Sequence, residues 1–228
     1  FNAIDDVYNA IDDETVAVMI ELVQGEGGVF PFDKEKIKEL AKFLKENDIL
    51  LIIDEVQTGV FRTGEFLASN LYDIEPDIIT LAKGIGGGVP MGAVMTKHKD
   101  IWTAGDHGST FGGNYLVTAA ALEVLDILEN LKDSGTLDET IIYFTKKLND
   151  IFEANRDIFI THVGLGLMRG LRVKDADTLA SLIKTAFEFG VMVLKSGNNT
   201  LRFLPALTIS KSEIDEGFIR LQKAIDKL

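Results

Sequence analysis

The sequence predicts an α/β protein: a large domain on a mostly parallel sheet, followed by a small α+β domain. Three observations carry this. Leu50–Ile53 and Ile78–Leu81 are four-residue apolar runs without polar alternation, the pattern of strands buried on both faces of a helix-covered parallel sheet. An earlier apolar stretch, Val16–Val23, is separated from the first run by Asp33 and the helical spacing Ile37, Leu40, Ala41, Leu44. Strand, helix, strand implies a right-handed crossover and parallel pairing. Beyond Gly135 the pattern becomes hairpin strands alternating with helices, as in an α+β domain. The domains are therefore placed at 1–134 and 135–228.

In chain order, Ile4, Val7, Tyr8 and Ile11 mark a short amphipathic helix. Val16–Val23 reads as a buried strand that ends in the loop Gln24-Gly25-Glu26-Gly27-Gly28. Asp33 is the expected N-cap of the crossover helix. A brief helix is expected over Glu65–Leu71 and a short strand over Gly92–Thr96, with a long helix over Val117–Leu131. Leu137–Asn155 is a further helix, with Ile141, Phe144, Leu148, Ile151 and Phe152 on its apolar side. Phe159–Val163 and Leu167–Val173 flank Gly164-Leu165-Gly166, a hairpin pattern. A helix over Thr178–Phe189 is closed by Gly190, and strands are expected over Val191–Leu194 and Thr200–Leu204. Ser210-Lys211-Ser212-Glu213 has the form of a capping box before the final helix.

Composition excludes several classes. Of 228 residues, 23 are Lys or Arg and 36 are Asp or Glu, a net charge of −13, which disfavours nucleic acid or an anionic membrane surface as partner. With no cysteine, disulfides and thiol catalysis are excluded, and the expected location is the cytoplasm. No apolar run approaches the roughly 20 residues of a membrane span. The chain opens on Phe1 and enters its first helix directly, so we expect a fragment or a processed chain.

The chemistry gathers at the ends of the two buried runs. The first ends in a carboxylate, Asp54, and the second in an amine, Lys83. Ligands of open α/β sheets sit beyond the carboxyl ends of the strands, so acid and amine are expected at one sheet edge. Gly84, Gly86, Gly87 and Gly88 follow the lysine and let the backbone pass close to a ligand. They form neither a dinucleotide fingerprint nor a Walker A loop. A partly desolvated lysine there is a nucleophile for carbonyl groups. Ser109 and Thr110, among glycines, suit a phosphate. His107 has no second ligand at metal spacing, and no metal site is expected.

Asp54-Glu55-Val56-Gln57-Thr58-Gly59, Arg62-Thr63-Gly64, Leu81-Ala82-Lys83-Gly84 and Gly86-Gly87-Gly88-Val89-Pro90-Met91-Gly92-Ala93 together resemble the core of the class III aminotransferases. These are pyridoxal 5'-phosphate (PLP) enzymes of fold type I. The resemblance implies that Lys83 binds PLP as a Schiff base and that Asp54 pairs with its pyridine nitrogen. It places Val56 and Gln57 against the ring and its 3-hydroxyl. Ser109 and Thr110 would reach the phosphate of the other subunit, making the active site a property of a homodimer. Arg202 would clamp a substrate carboxylate, with Glu26 as its gate. The sequence departs from the family at Leu22 and Tyr115, where proline is usual, and in the hairpin Val163–Met168, which keeps the glycines and lacks the basic residues.

Within the family, Leu201-Arg202-Phe203-Leu204-Pro205 and Leu207-Thr208-Ile209-Ser210 are most similar to the branch acting on acetylornithine. The implied reaction is ping-pong transfer of the δ-amine of N-acetylornithine to 2-oxoglutarate, a step of arginine biosynthesis. Ornithine, 4-aminobutyrate or another ω-amino acid as donor, a glutamate-semialdehyde-type aminomutase, and a non-catalytic fragment remain alternatives. In the family the phosphate loop, the ring-stacking aromatic and a second arginine lie upstream of these motifs, so this chain is expected to be the C-terminal part of a longer enzyme.

Overall fold

The computed structural model describes residues 3–99 and 102–228. Its elements in chain order are α1 (Ile4–Ala10), β1 (Ala17–Ile20), β2 (Val23–Gln24), β3 (Phe30–Pro31), α2 (Lys34–Glu46), β4 (Leu50–Asp54), α3 (Ala68–Tyr72), β5 (Ile78–Leu81), β6 (Ala93–Thr96), α4 (Tyr115–Asp133), α5 (Thr136–Ala154), β7 (Phe159–Leu165), β8 (Met168–Val173), α6 (Ala176–Glu188), β9 (Leu194–Ser196), β10 (Thr200–Phe203) and α7 (Lys211–Ile225). Contacts divide the chain into two units. One takes Phe1–Leu22, Phe32–Phe61 and Glu65–Asn130; the other takes Val23–Pro31, Arg62–Gly64 and Leu131–Leu228.

The first unit is built on a sheet of order β1-β4-β5-β6. β1, β4 and β5 are parallel, and β6 returns antiparallel beside β5. The crossover from β1 to β4 is α2, started by Asp33, whose side chain accepts the Lys36 amide at 3.0 Å. Ile37, Leu40 and Leu44 are its buried face. In β4, Leu51 and Ile53 are buried while Leu50 and Ile52 are half-buried, so the strand is less evenly covered than its unbroken apolar run predicts. The stretch expected as one strand, Val16–Val23, is two. Leu22 leaves the ladder fully buried, and its carbonyl accepts the Phe32 amide at 3.0 Å and the Tyr72 hydroxyl at 3.1 Å. α4 starts two residues before the expected Val117 because Asn114 Oδ1 accepts the Leu116 and Val117 amides, the work of an N-cap.

The second unit holds an antiparallel sheet of order β7-β8-β10-β9 and the ribbon β2-β3. Its apolar core draws on α5 (Leu137, Phe144, Leu148, Ile151), β8 and β10 (Leu171, Leu201), α6 (Leu179, Leu182) and α7 (Ile214, Leu221). The rings of Phe144 and Phe218 meet at 5.2 Å and those of Phe203 and Phe218 at 6.3 Å, distances favourable for aromatic pairs. The capping box of α7 is complete: Ser210 Oγ accepts the Glu213 amide, and the Glu213 carboxylate accepts the Ser210 amide. β9 begins at Leu194, not Val191, because the Val191 amide closes the end of α6 on Ala186 O at 2.8 Å.

Candidate active site

β4 and β5 run side by side in the same direction, so both deliver their C-terminal ends to one edge. Asp54 ends β4 and stands in register with Thr80 of β5. Its Oδ1 accepts the Thr80 hydroxyl at 3.1 Å and the Val56 amide at 2.9 Å. Both bonds fall on one oxygen of a half-buried carboxylate, which fixes its plane and leaves Oδ2 for a further donor. Three residues past Thr80, Lys83 opens a 3₁₀ turn over Lys83–Gly86 with φ at 49°. A left-handed backbone costs a non-glycine residue about 1–2 kcal/mol, and strain of this kind concentrates at functional positions. The Lys83 side chain is exposed. Val56 and Gln57 are half-buried in the turn after Asp54.

Sequence reasoning missed Glu55, the neighbour of Asp54. It is 1% exposed and accepts the amides of Ala68 (3.0 Å) and Ser69 (2.8 Å) and the hydroxyls of Ser69 (3.1 Å) and Thr58. It thereby caps α3 from a distance, since Leu67 at the helix start has no side-chain acceptor, and it delays that helix from the expected Glu65 to Ala68. Of two consecutive carboxylates, one is bound into the fold and the other faces the sheet edge. Apart from the Thr58 hydroxyl, the partners of Glu55 lie thirteen and fourteen residues downstream, so little in the local sequence separates the two. Ser109 and Thr110 lie in an exposed loop, where Ser109 Oγ accepts the Gly112 amide at 2.9 Å. No hydrogen bond among the described residues joins either to Asp54 or Lys83.

In the second unit, Glu26 and Arg202 meet. Arg202 stands on β10 opposite Gly170, and its Nη1 donates to Glu26 Oε1 at 2.7 Å and to Gly25 O at 3.2 Å. The arginine side chain is 9% exposed and the glutamate side chain 70%. The Glu26 loop is itself held: Ser196 Oγ donates to Gly25 O at 2.7 Å, the Gly197 amide to Glu26 O at 2.9 Å and Asn198 Nδ2 to Gly27 O at 2.8 Å. Glu26 is the carboxylate partner of this buried guanidinium, and removing such a partner without replacing it is costly. Here that partner rests largely in solvent, so another carboxylate can take its place without stranding the arginine.

A family model described as Aminotransferase class-III matches residues 1–225. This chain belongs to the class III aminotransferases. It is 55% identical over 222 residues to the acetylornithine aminotransferase of Wolinella succinogenes, a match covering 97% of this chain and 56% of that protein. It is 41% identical over 232 residues to a succinylornithine transaminase of Salmonella enteritidis, covering 100% of this chain and 57% of that one. Among solved structures, the N-acetylornithine aminotransferase of Stenotrophomonas maltophilia is similar with a TM-score of 0.86 at 32% identity, covering 100% of this chain and 61% of that one. The chain thus spans less than two thirds of the length of these relatives. Class III aminotransferases use PLP, and the residues at the β4–β5 edge fit it. An aldehyde needs an amine, which Lys83 offers, and a protonated ring nitrogen needs an anion, which the fixed Asp54 carboxylate offers. Among the described residues no helix is long and apolar enough to cross a membrane.

Proposed function

We propose that this chain supplies the reactive half of an aminotransferase that moves the δ-amine of N-acetylornithine to 2-oxoglutarate in two half-reactions. The observation that carries this is the placing of Asp54, fixed through Thr80 on the neighbouring strand, at the same sheet edge as a strained lysine three residues past Thr80, in the turn that follows that strand. The residues that would hold PLP are Lys83, Asp54, Val56, Gln57, Ser109 and Thr110, the last two toward the phosphate across a homodimer. PLP supplies an electron sink for the charge left when a substrate carbon loses its proton. Asp54 would keep a proton on the ring nitrogen, with the oxygen its own bonds leave over. Lys83 Nζ would take the substrate proton as a base and return it as an acid. Arg202 binds a substrate carboxylate through a charge-assisted fork. Glu26 answers its charge at other times.

Acetylornithine is preferred over succinylornithine because the higher identity lies with a relative named for the former. The test is to supply PLP, reduce with borohydride and locate the added mass by peptide mapping. Modification of Lys83 is expected, followed by transamination in the order N-acetylornithine, N-succinylornithine, ornithine, 4-aminobutyrate. Capture at any other lysine removes the assignment, and a donor order led by 4-aminobutyrate removes the substrate. The same preparation sized in solution should be a dimer of a cytoplasmic protein.

A further inference from the structure

Arg62 belongs to a segment, Arg62–Gly64, whose contacts lie in the second unit, and the function proposed above gives it no work. Its bonds have an unusual pattern. β8 and β10 pair antiparallel with Phe203 opposite Arg169, so the same register carried two residues further sets Pro205 opposite Leu167. At the other end of this ladder the Val173 amide donates to Asn199 O at 2.8 Å. Bonded pairs alternate along an antiparallel ladder, so 171/201, 169/203 and 167/205 fall at bonded positions. The last of these cannot close, because proline has no N–H.

Arg62 fills the gap from both of its ends. Its carbonyl accepts the Leu167 amide at 3.0 Å. Its Nη1 donates to Leu167 O at 3.1 Å and to Pro205 O at 2.7 Å. All three polar groups that the broken pair leaves over are satisfied by one residue. The fit is close: Gly166 sits at φ 54°, and a Cβ there would lie 2.4 Å from the carbonyl carbon of Thr63. Burial pulls Arg62 down to about 10, so the guanidinium stays charged at neutral pH. Arg202 is three residues from Pro205 on the stapled strand.

We infer that Arg62 is a positioning residue for Arg202: by standing in for the ladder partner that Pro205 cannot be, it fixes the end of β10 and so the guanidinium that takes the substrate carboxylate. The carboxylate role of Arg202 is taken from the function proposed above; the staple itself is independent of it. The experiment compares R62M, P205A, R62M/P205A and R202M in the full chain supplied with PLP. Two quantities are read: amide hydrogen exchange at Arg169, Leu201 and Phe203, and calorimetric affinity for glutarate, a dicarboxylate with no reacting group. R62M should speed exchange and weaken glutarate by roughly tenfold each, about 1.4 kcal/mol. P205A restores an N–H opposite Leu167, so R62M/P205A should recover much of both losses, a rescue that a packing role for Arg62 does not predict. P205A alone should stay near wild type. In turnover, R62M should raise KM for carboxylate substrates while leaving kcat for an amine without a carboxylate unchanged.

Unchanged exchange in R62M, or no recovery in R62M/P205A, would overturn the staple. Faster exchange with unaltered glutarate affinity would overturn the positioning role. R202M separates the two failures. Glutarate lost in R202M but kept in R62M means that Arg62 does not position Arg202. Glutarate kept in both means that Arg202 is not the carboxylate site, while the exchange data still decide the staple.

Discussion

The end of β5 and the middle of β10 each present a cation, and they are built in opposite ways. Lys83 is exposed, sits on a strained left-handed residue and is followed by glycines. Arg202 is 9% exposed, lies inside a ladder and bonds a carboxylate and a carbonyl. The difference follows from the work proposed for each. A lysine that forms and breaks a covalent bond must swing, so the fold fixes its neighbour Asp54 instead. An arginine that only recognises a carboxylate gains from being held, because each rotamer frozen beforehand is one that binding need not freeze. The first place to break the comparison is therefore Lys83→Arg. It keeps the charge and removes the nucleophile, so turnover should fall by at least about a thousandfold, in the range of lost acid–base catalysis, and borohydride should fix no PLP on the chain. A variant near wild-type turnover would show that position 83 needs only a charge, as 202 does.

Next to Asp54, Glu55 holds the start of α3, and Glu55→Gln tests that hold. Four donors converge on a buried carboxylate, and the amide keeps one oxygen while turning an NH₂ toward donors. Loss of about 2–3 kcal/mol is expected from the weakened charged hydrogen bonds, read as a lower urea midpoint at unchanged slope. A midpoint within error of wild type would mean that α3 is held by its packing alone. The matching change in the second unit is Gly166→Ala. Its added methyl would meet the backbone of Thr63 in a left-handed conformation, and about 1–3 kcal/mol of overpacking is expected. The loss should appear as faster amide exchange at Leu167. If Leu167 exchanges as in the wild type, the hairpin turn has room the geometry does not show.

How much of this was legible beforehand divides along the same line. The parallel strands at Leu50–Ile53 and Ile78–Leu81 and the crossover helix could be read because each is specified by its own residues, by apolar runs or by helical spacing with an Asp33 cap. The capping box at Ser210 was legible for the same reason. The lysine and aspartate at the sheet edge follow from the strand ends. What escaped depends on partners far away in sequence. The role of Glu55 needs Ala68 and Ser69. The work of Arg62 needs Leu167 and Pro205, 105 and 143 residues on. The split of Val16–Val23 needs Tyr72 to capture the Leu22 carbonyl, fifty residues away. In each case a polar group is satisfied by a segment whose arrival no local pattern announces.

The smallest expected effect concerns the sheet that carries Arg202. On its outer strand, β7, His162 stands 5.3 Å from the Phe152 ring, with Arg169 Nη2 3.5 Å from its Nδ1. Partial loss of water, then Arg169, holds its pKa below the usual 6.5; Arg156 adds to this and Glu153 opposes it. A depressed folded-state pKa means that the unfolded chain takes up the proton first. The contribution of His162 to stability is therefore complete above pH 6.5 and is lost as pH falls through the folded value. Replacing it with Gln removes that dependence. The stability of His162→Gln should decline less steeply than wild type as pH drops below 6.5, with the two differing little at pH 8, as followed by urea melts across the range. The side chain is exposed, so solvent keeps the effect small. Parallel curves for the two proteins would mean that the arginines beside His162 are screened, and that the positive charge gathered on this sheet matters only at Arg202, where burial keeps water out.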